Sequence, residues 1–99
     1  MRIAVMSSDK KEVNERFGKA NRFLIYEQKN GGLQLVAERV SEPLAVDYFD
    51  LEMCDWIADI IKDCQKVYMT RISKQAERAV IRRGITPVVY QGPIDKIIP

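Results

Sequence analysis

Asn30-Gly31-Gly32 stands between two runs with strand character, FLIYE (Phe23 to Glu27) and LQLVAERV (Leu33 to Val40). Asn and Gly supply the positive φ values of a tight turn whose twist matches that of flanking strands, so this stretch is expected to be a β-hairpin. An antiparallel pair formed this early constrains the rest of the chain. The run before it, Arg2 to Met6 (RIAVM), has strand character and ends at the turn-forming trio Ser7-Ser8-Asp9. After the hairpin, Val40 to Asp50 carries Pro43 and is expected to be a crossing loop, with Asp50 as a helix N-cap.

Leu51 to Asp63 has the helical period: Leu51, Cys54, Ile57, Ala58 and Ile61 share one arc, and Glu52, Asp55, Asp59, Lys62 and Asp63 the other. Lys66 to Thr70 is expected to be a strand. Ser73 then caps a second helix whose Ala76, Ala79 and Val80 face inward and which Gly84 closes in the C′ position. Thr86 to Tyr90 is the last strand, and Pro93 to Ile98 a short terminal turn or helix. The order β-β-β-α-β-α-β, with a small insertion around residues 12–20, predicts an α/β fold with a mixed five-stranded sheet. Its later strands run parallel to the first by right-handed crossovers, with helices packed on it.

At 99 residues the chain is expected to be one domain, residues 1–99, without need of staples. A net charge of +2, from 16 basic and 14 acidic side chains, is too balanced to point to DNA or a membrane surface. No apolar run is long enough to span a bilayer, and MRIAVM leads directly into a strand rather than a signal peptide, so a cytoplasmic protein is expected. Cys54 and Cys64 are then expected to be reduced. Histidine is absent, which removes the commonest metal ligand and the commonest general base together.

Open α/β sheets bind ligands at the carboxyl ends of strands where the connectivity reverses. If the first and fourth strands are neighbours, the loop after Met6 meets the loop Thr70 to Ser73, which leads into a helix whose first turn offers unpaired N–H groups. Arg71 and Ser73 on one side, and Ser7, Ser8, Lys10 and Lys11 on the other, with Asn14 and Arg16 nearby, compose a cleft suited to an anion. Taken singly, Ser73 is as well explained as a plain N-cap and Arg71 as a solvated side chain. Phe17 pins the insertion to the sheet and Gly18 turns it, leaving Arg16 placed for contact.

Catalysis finds little support. Acid–base work would fall to Asp9, Glu12, Glu15 or a lysine, with no evident pairing. A two-metal nuclease needs carboxylates at strand ends, and neither RIAVM nor KVYMT carries one. Cys54 and Cys64 are expected in the core; on a continuous helix their ten-residue spacing is about 15 Å, too far to chelate one ion together. Lys74, Arg78 and Arg82 recur every four residues with Arg83 beside them. A solvated helix face explains this stripe; docking of an acidic partner or of nucleic acid is the functional alternative, and no aromatic residue interleaves to stack bases.

Three segments, IAVMSSD, VNERFGKANRFLIYE and IADIIKDCQKVYMTRISKQAERAVIRRGITPVVY, resemble the NifX-type proteins of the dinitrogenase iron–molybdenum cofactor biosynthesis family. The resemblance runs from Met1 to about Ile98. It implies a ribonuclease-H-like sheet without the nuclease carboxylates, and a carrier rather than an enzyme. The implied cargo is the iron–molybdenum cofactor or an iron–sulfur precursor cluster, and the implied partners are nitrogenase cofactor assembly proteins. The family commonly has His-Phe-Gly where this chain has Arg16-Phe17-Gly18, and a protonated arginine does not ligate a metal. Three outcomes stay open: electrostatic binding of the anionic cluster with Arg16 and Arg71 as counter-charges, ligation through Cys54 or Cys64, or loss of cluster binding. A metal-free protein-interaction module of the same fold, acting outside nitrogen fixation, is the alternative function.

Overall fold

A computed structural model describes residues 1–17, 22–40 and 57–97. Gly18, Cys54, the crossing loop after Val40 and the start of the first helix lie outside the described residues. Strand β1 (Arg2–Met6) is followed by the short β2 (Glu12–Val13), the hairpin β3 (Arg22–Lys29) and β4 (Gly32–Val40), then by helical residues 57–60 (α1), β5 (Lys66–Met69), α2 (Lys74–Arg82), β6 (Thr86–Val89), β7 (Gly92–Pro93) and a 3-10 turn at Ile94–Lys96.

Five strands form one sheet in the order β4-β3-β1-β5-β6. β1 pairs antiparallel with β3 and parallel with β5, and β5 pairs parallel with β6. The expected mixed α/β sheet is therefore present, and the first strand lies in the middle of it. The expected hairpin is also present: Asn30 (φ 47°) and Gly31 (φ 83°) take the two positive-φ positions of the turn, and Lys29 pairs with Gly32. Both of its strands extend beyond the predicted cores, whereas β6 stops one residue short of Tyr90.

Burial follows the two-residue period of the strands. Ala4 and Met6 of β1 join Phe23, Ile25, Val67 and Met69 in one core cluster, where Ile57 and Ala58 of α1, Ile61 just after it, and Ala76, Ala79 and Val80 of α2 cover them. Ile3 and Val5 join Leu24 and Tyr68 in a second cluster on the opposite face, capped by Val13, Ile94 and Ile97. Both helices thus lie on one face. The other is covered by the two-residue ladder of β2 with β7 and the 3-10 turn.

The end of α2 shows why the chain turns there. The Gly84 amide donates to the Ile81 carbonyl at 2.9 Å and the Ile85 amide to the Val80 carbonyl at 3.0 Å, with Gly84 at φ 77°. This is the Schellman arrangement, and Val80 and Ile85, the pair that accompanies it, are both buried in the same core cluster. At the same end of the sheet, where β1, β5 and β6 begin, Asp63 accepts from Arg2 Nη1 at 2.8 Å and from Arg39 Nη2 at 2.8 Å. It ties β1, β4 and the exit of α1 together. Among the described residues, no helix is long and apolar enough to cross a membrane.

Candidate functional site

Two buried residues explain how the site is built. Val13 is buried in the second-face cluster, and Phe17 is buried in the helix-face cluster. The chain between them therefore passes around the end of the sheet from one face to the other. Both anchors face the core, so the polar residues in between, Asn14, Glu15 and Arg16, are left at the rim, at the carboxyl ends of β1 and β5. The alternation of buried and rim positions is a consequence of anchoring a short charged segment at its two apolar ends.

Backbone hydrogen bonds fix this segment against the segment that follows β5. The Phe17 amide donates to the Arg71 carbonyl at 2.8 Å, and the Thr70 amide donates to the Glu15 carbonyl at 3.0 Å. Between the two segments lies a groove of about 390 Å³ lined by Asn14, Glu15, Arg16, Thr70, Arg71 and Gln91. Arg16 and Arg71 are both exposed, and among the described residues neither is in an ion pair. Among the described residues Glu15 is the single carboxylate in the lining, beside two guanidiniums, so their balance is positive. The sheet reverses its connectivity at β1, with β3 on one side and β5 on the other, which is where open α/β sheets present ligand sites.

The other residues expected in the cleft are placed differently. Ser7 is buried, and its hydroxyl donates to Asp9 Oδ1 at 3.1 Å while accepting from the Lys10 amide at 3.0 Å. Ser8 and Asn14 bind each other: the Ser8 amide donates to Asn14 Oδ1 at 2.9 Å, and Asn14 Nδ2 donates to Ser8 Oγ at 3.0 Å. Lys10 does not face Arg71. Its left-handed backbone (φ 65°) sends the loop onto the second face of the sheet, where its Nζ lies 3.2 Å from Glu38 Oε2. Lys10 and Lys11 instead line a separate cavity of about 780 Å³ on that face, floored by Tyr26, Leu33 and Ile94. The wall facing Thr70 and Arg71 is thus the insertion at 14–17 rather than the loop at 7–11.

Ser73 acts as the N-cap of α2, its hydroxyl accepting from the Ala76 amide at 3.2 Å. Arg83 separates from the basic stripe, because its guanidinium donates to Asp59 Oδ1 at 2.7 Å and to the Ala79 carbonyl at 2.9 Å. Gln91 was not anticipated. It precedes the β2–β7 ladder, and pairing of two-residue strands leaves no period in the sequence by which it could be found.

Metal ligation finds no cluster of donors: among the described residues no three His, Cys, Asp or Glu side chains group together. Cys64 is buried in the helix-face core, and burial, with the Asp63 carboxylate beside it, pushes its thiol up to about 12, so the thiolate that metal binding needs is suppressed. Asp9 is taken up in the hydrogen bonds of its own loop. Hydrogen bonds from the amides of Glu12 and Lys11 hold its carboxyl below the ordinary range.

Comparison with known proteins adds a family to this geometry. The family model described as dinitrogenase iron-molybdenum cofactor matches residues 1–99. The FeMo cofactor biosynthesis protein NifB of Bradyrhizobium diazoefficiens is 30% identical over 87 residues, covering 87% of this chain and 17% of that protein. NifB of Frankia alni is 31% identical over 101 residues, covering 97% of this chain and 20% of that protein. The chain therefore spans a fifth or less of the length of these relatives. Two solved structures share the fold. The crystal structure of PH0822 is similar with a TM-score of 0.68 at 22% identity, covering 90% of this chain and 78% of that one. The NMR structure of TM1290 from Thermotoga is similar with a TM-score of 0.54 at 17% identity, covering 93% and 78%.

Proposed function

The chain belongs to the dinitrogenase iron-molybdenum cofactor family, a family of nitrogenase cofactor biosynthesis, and from that premise we propose that it carries an anionic iron–sulfur or iron–molybdenum cluster between assembly proteins. It acts as a NifX-type cytoplasmic carrier and not as an enzyme. The observation that supports this most is the pair of exposed guanidiniums, Arg16 and Arg71, on opposite walls of one backbone-braced groove.

The chemistry follows from what lines that groove. Arginine stays protonated under all working conditions and presents a planar fork of donors that matches carboxylate and other anionic groups. Thr70, Asn14 and Gln91 add neutral hydrogen-bonding groups. Cargo held in this way is bound by charge and hydrogen bonds, with Arg16 taking the place that histidine commonly has in the family. Exchange between proteins suits such binding, since no metal–protein bond has to break. The strand order β4-β3-β1-β5-β6, with three antiparallel strands followed by two parallel ones, supports reading the sheet as ribonuclease-H-like. The carboxylate-free β1 and β5 support a carrier rather than a nuclease.

Anaerobic gel filtration after incubation with the isolated iron–molybdenum cofactor tests the proposal. Iron is expected to co-elute with the wild-type chain and to be lost from a chain carrying Arg16→Ala and Arg71→Ala. Equal iron in both places any binding outside this groove.

A further inference from the structure

Helix α2 begins three residues after Arg71, at the lip of the groove, and its outward face carries a pattern the cargo site does not use. Lys74, Arg78 and Arg82 follow one another at four-residue intervals, and all are exposed. Over α2 they span about 12 Å along the helix axis. Lys74 and Arg78 have no ion pair among the described residues. Glu77 is the one acidic side chain on the helix. Ile81 lies seven residues after Lys74 and three after Arg78, hence on the same side of the helix. It is 53% exposed, while Ala76, Ala79 and Val80 occupy the core side. An aliphatic side chain held in water among cations is the anatomy of an interface, with an apolar anchor and a charged rim.

We propose that the outward face of α2 is a docking surface for a protein with an acidic surface patch surrounding an apolar pocket or residue. Charge complementarity selects the acidic partner: Lys74 and Arg78, in no ion pair among the described residues, stand one turn apart on this face against the single Glu77 of the helix. Ile81 selects protein over nucleic acid, because an aliphatic anchor gains from an apolar pocket and nothing from phosphates, and α2 has no aromatic side chain on which a base would stack. A partner seated here covers the rim of the groove beside Arg71. The surface is separate from the groove and stands whether or not the groove carries a cluster.

The test uses the full chain, isotopically labelled for NMR, and three probes: a helical peptide in which glutamates flank a leucine stripe, polyglutamate of equal charge, and a short DNA duplex of equal charge. The leucine-bearing peptide is expected to shift the amides of residues 74–82, to weaken as salt is raised, and to bind more tightly than polyglutamate or DNA. Ile81→Ser and Lys74→Glu with Arg78→Glu are each expected to weaken it about tenfold or more. Arg78→Gln provides a milder variant whose folding is unaffected, since its side chain is solvent-facing. Shifts centred elsewhere, affinity unmoved by Ile81→Ser, or equal or tighter binding of DNA overturns the proposal. None of these readouts depends on cluster binding, so its failure leaves the cargo proposal untouched.

Discussion

The amide of Phe17 donates a hydrogen bond to the carbonyl of Arg71, at 2.8 Å, although 53 intervening residues separate them in the sequence. This bond and its companion from Thr70 to Glu15 fix the spacing of the two groove walls. Both are backbone bonds, so they hold without regard to side-chain chemistry. The side chains they position, Arg16 and Arg71, are exposed and in no ion pair among the described residues.

Phe17 supplies the apolar anchor for one wall. It is 6% exposed and packs in the helix-face core. Truncation by Phe17→Ala is expected to cost about 3 to 5 kcal/mol, from lost transfer energy and the cavity left behind. Urea unfolding measures it as a lower midpoint with little change in slope. Phe17→Leu is expected to recover much of the loss.

Ser73 separates a structural role from a binding one. Its hydroxyl caps α2 through the Ala76 amide. Ser73→Ala is expected to lower stability by about 1 kcal/mol, read by thermal unfolding, and to leave cluster retention by the folded chain unchanged. A loss of retention without loss of stability would instead give Ser73 a direct contact with the cargo.

Asp63 sets part of the acid limit of stability. The Arg39 guanidinium, with Arg2 beside it, holds its carboxyl well below the usual carboxylate range. A group with a depressed folded-state pKa contributes stability that is present above its unfolded value and is lost as pH falls through the folded one. The wild-type chain is therefore expected to lose stability below about pH 4. In Asp63→Asn this contribution is already missing at neutral pH, and the slope of stability against pH in the acid limb is smaller. Chemical denaturation at a series of pH values checks both statements. The carboxylate is partly exposed, so high salt is expected to reduce the difference.

Cys64 is expected to behave as a core residue. Its thiol is buried and pushed up to about 12. In a chain carrying Cys54→Ser, so that one thiol reports, a thiol-specific reagent at neutral pH is expected to react only as the chain opens. The rate should rise steeply in denaturant. Fast labelling of the folded chain would reopen Cys64 as a metal ligand.

The features legible in the sequence are those set by local chemistry. Asn30-Gly31 announces a turn because few other pairs accept its backbone angles. Ser73 and Gly84 mark the ends of α2 by the groups they satisfy, and the helical spacing of Ala76, Ala79 and Val80 names its buried side. The juxtaposition of β1 and β5 stays a condition at the level of sequence, because the rule of right-handed crossovers sets the hand of a connection and not which strands are neighbours. What escaped depends on contacts distant in sequence. Lys10 was expected in the cleft, but its direction is decided by Glu38 on β4 and by a left-handed turn that a lysine does not advertise. The β2–β7 ladder, which brings Gln91 to the groove, consists of two-residue strands too short to show alternation. The passage of residues 13–17 from one face to the other needed both buried anchors to be known before it was visible.

The proposed hold of Arg71 and Arg16 on the cargo is one of charge, and a charge-conserving series at one position separates charge from shape. Anaerobic titration with the isolated iron–molybdenum cofactor is made on the wild-type chain, Arg71→Lys and Arg71→Gln, at low and at high salt. Binding is expected to weaken as salt rises, to be partly retained by the lysine variant, and to fall about tenfold or more in the glutamine variant, the size of a charged hydrogen bond removed. A glutamine variant that binds as tightly as wild type, at the same salt dependence, would contradict the proposed hold by charge.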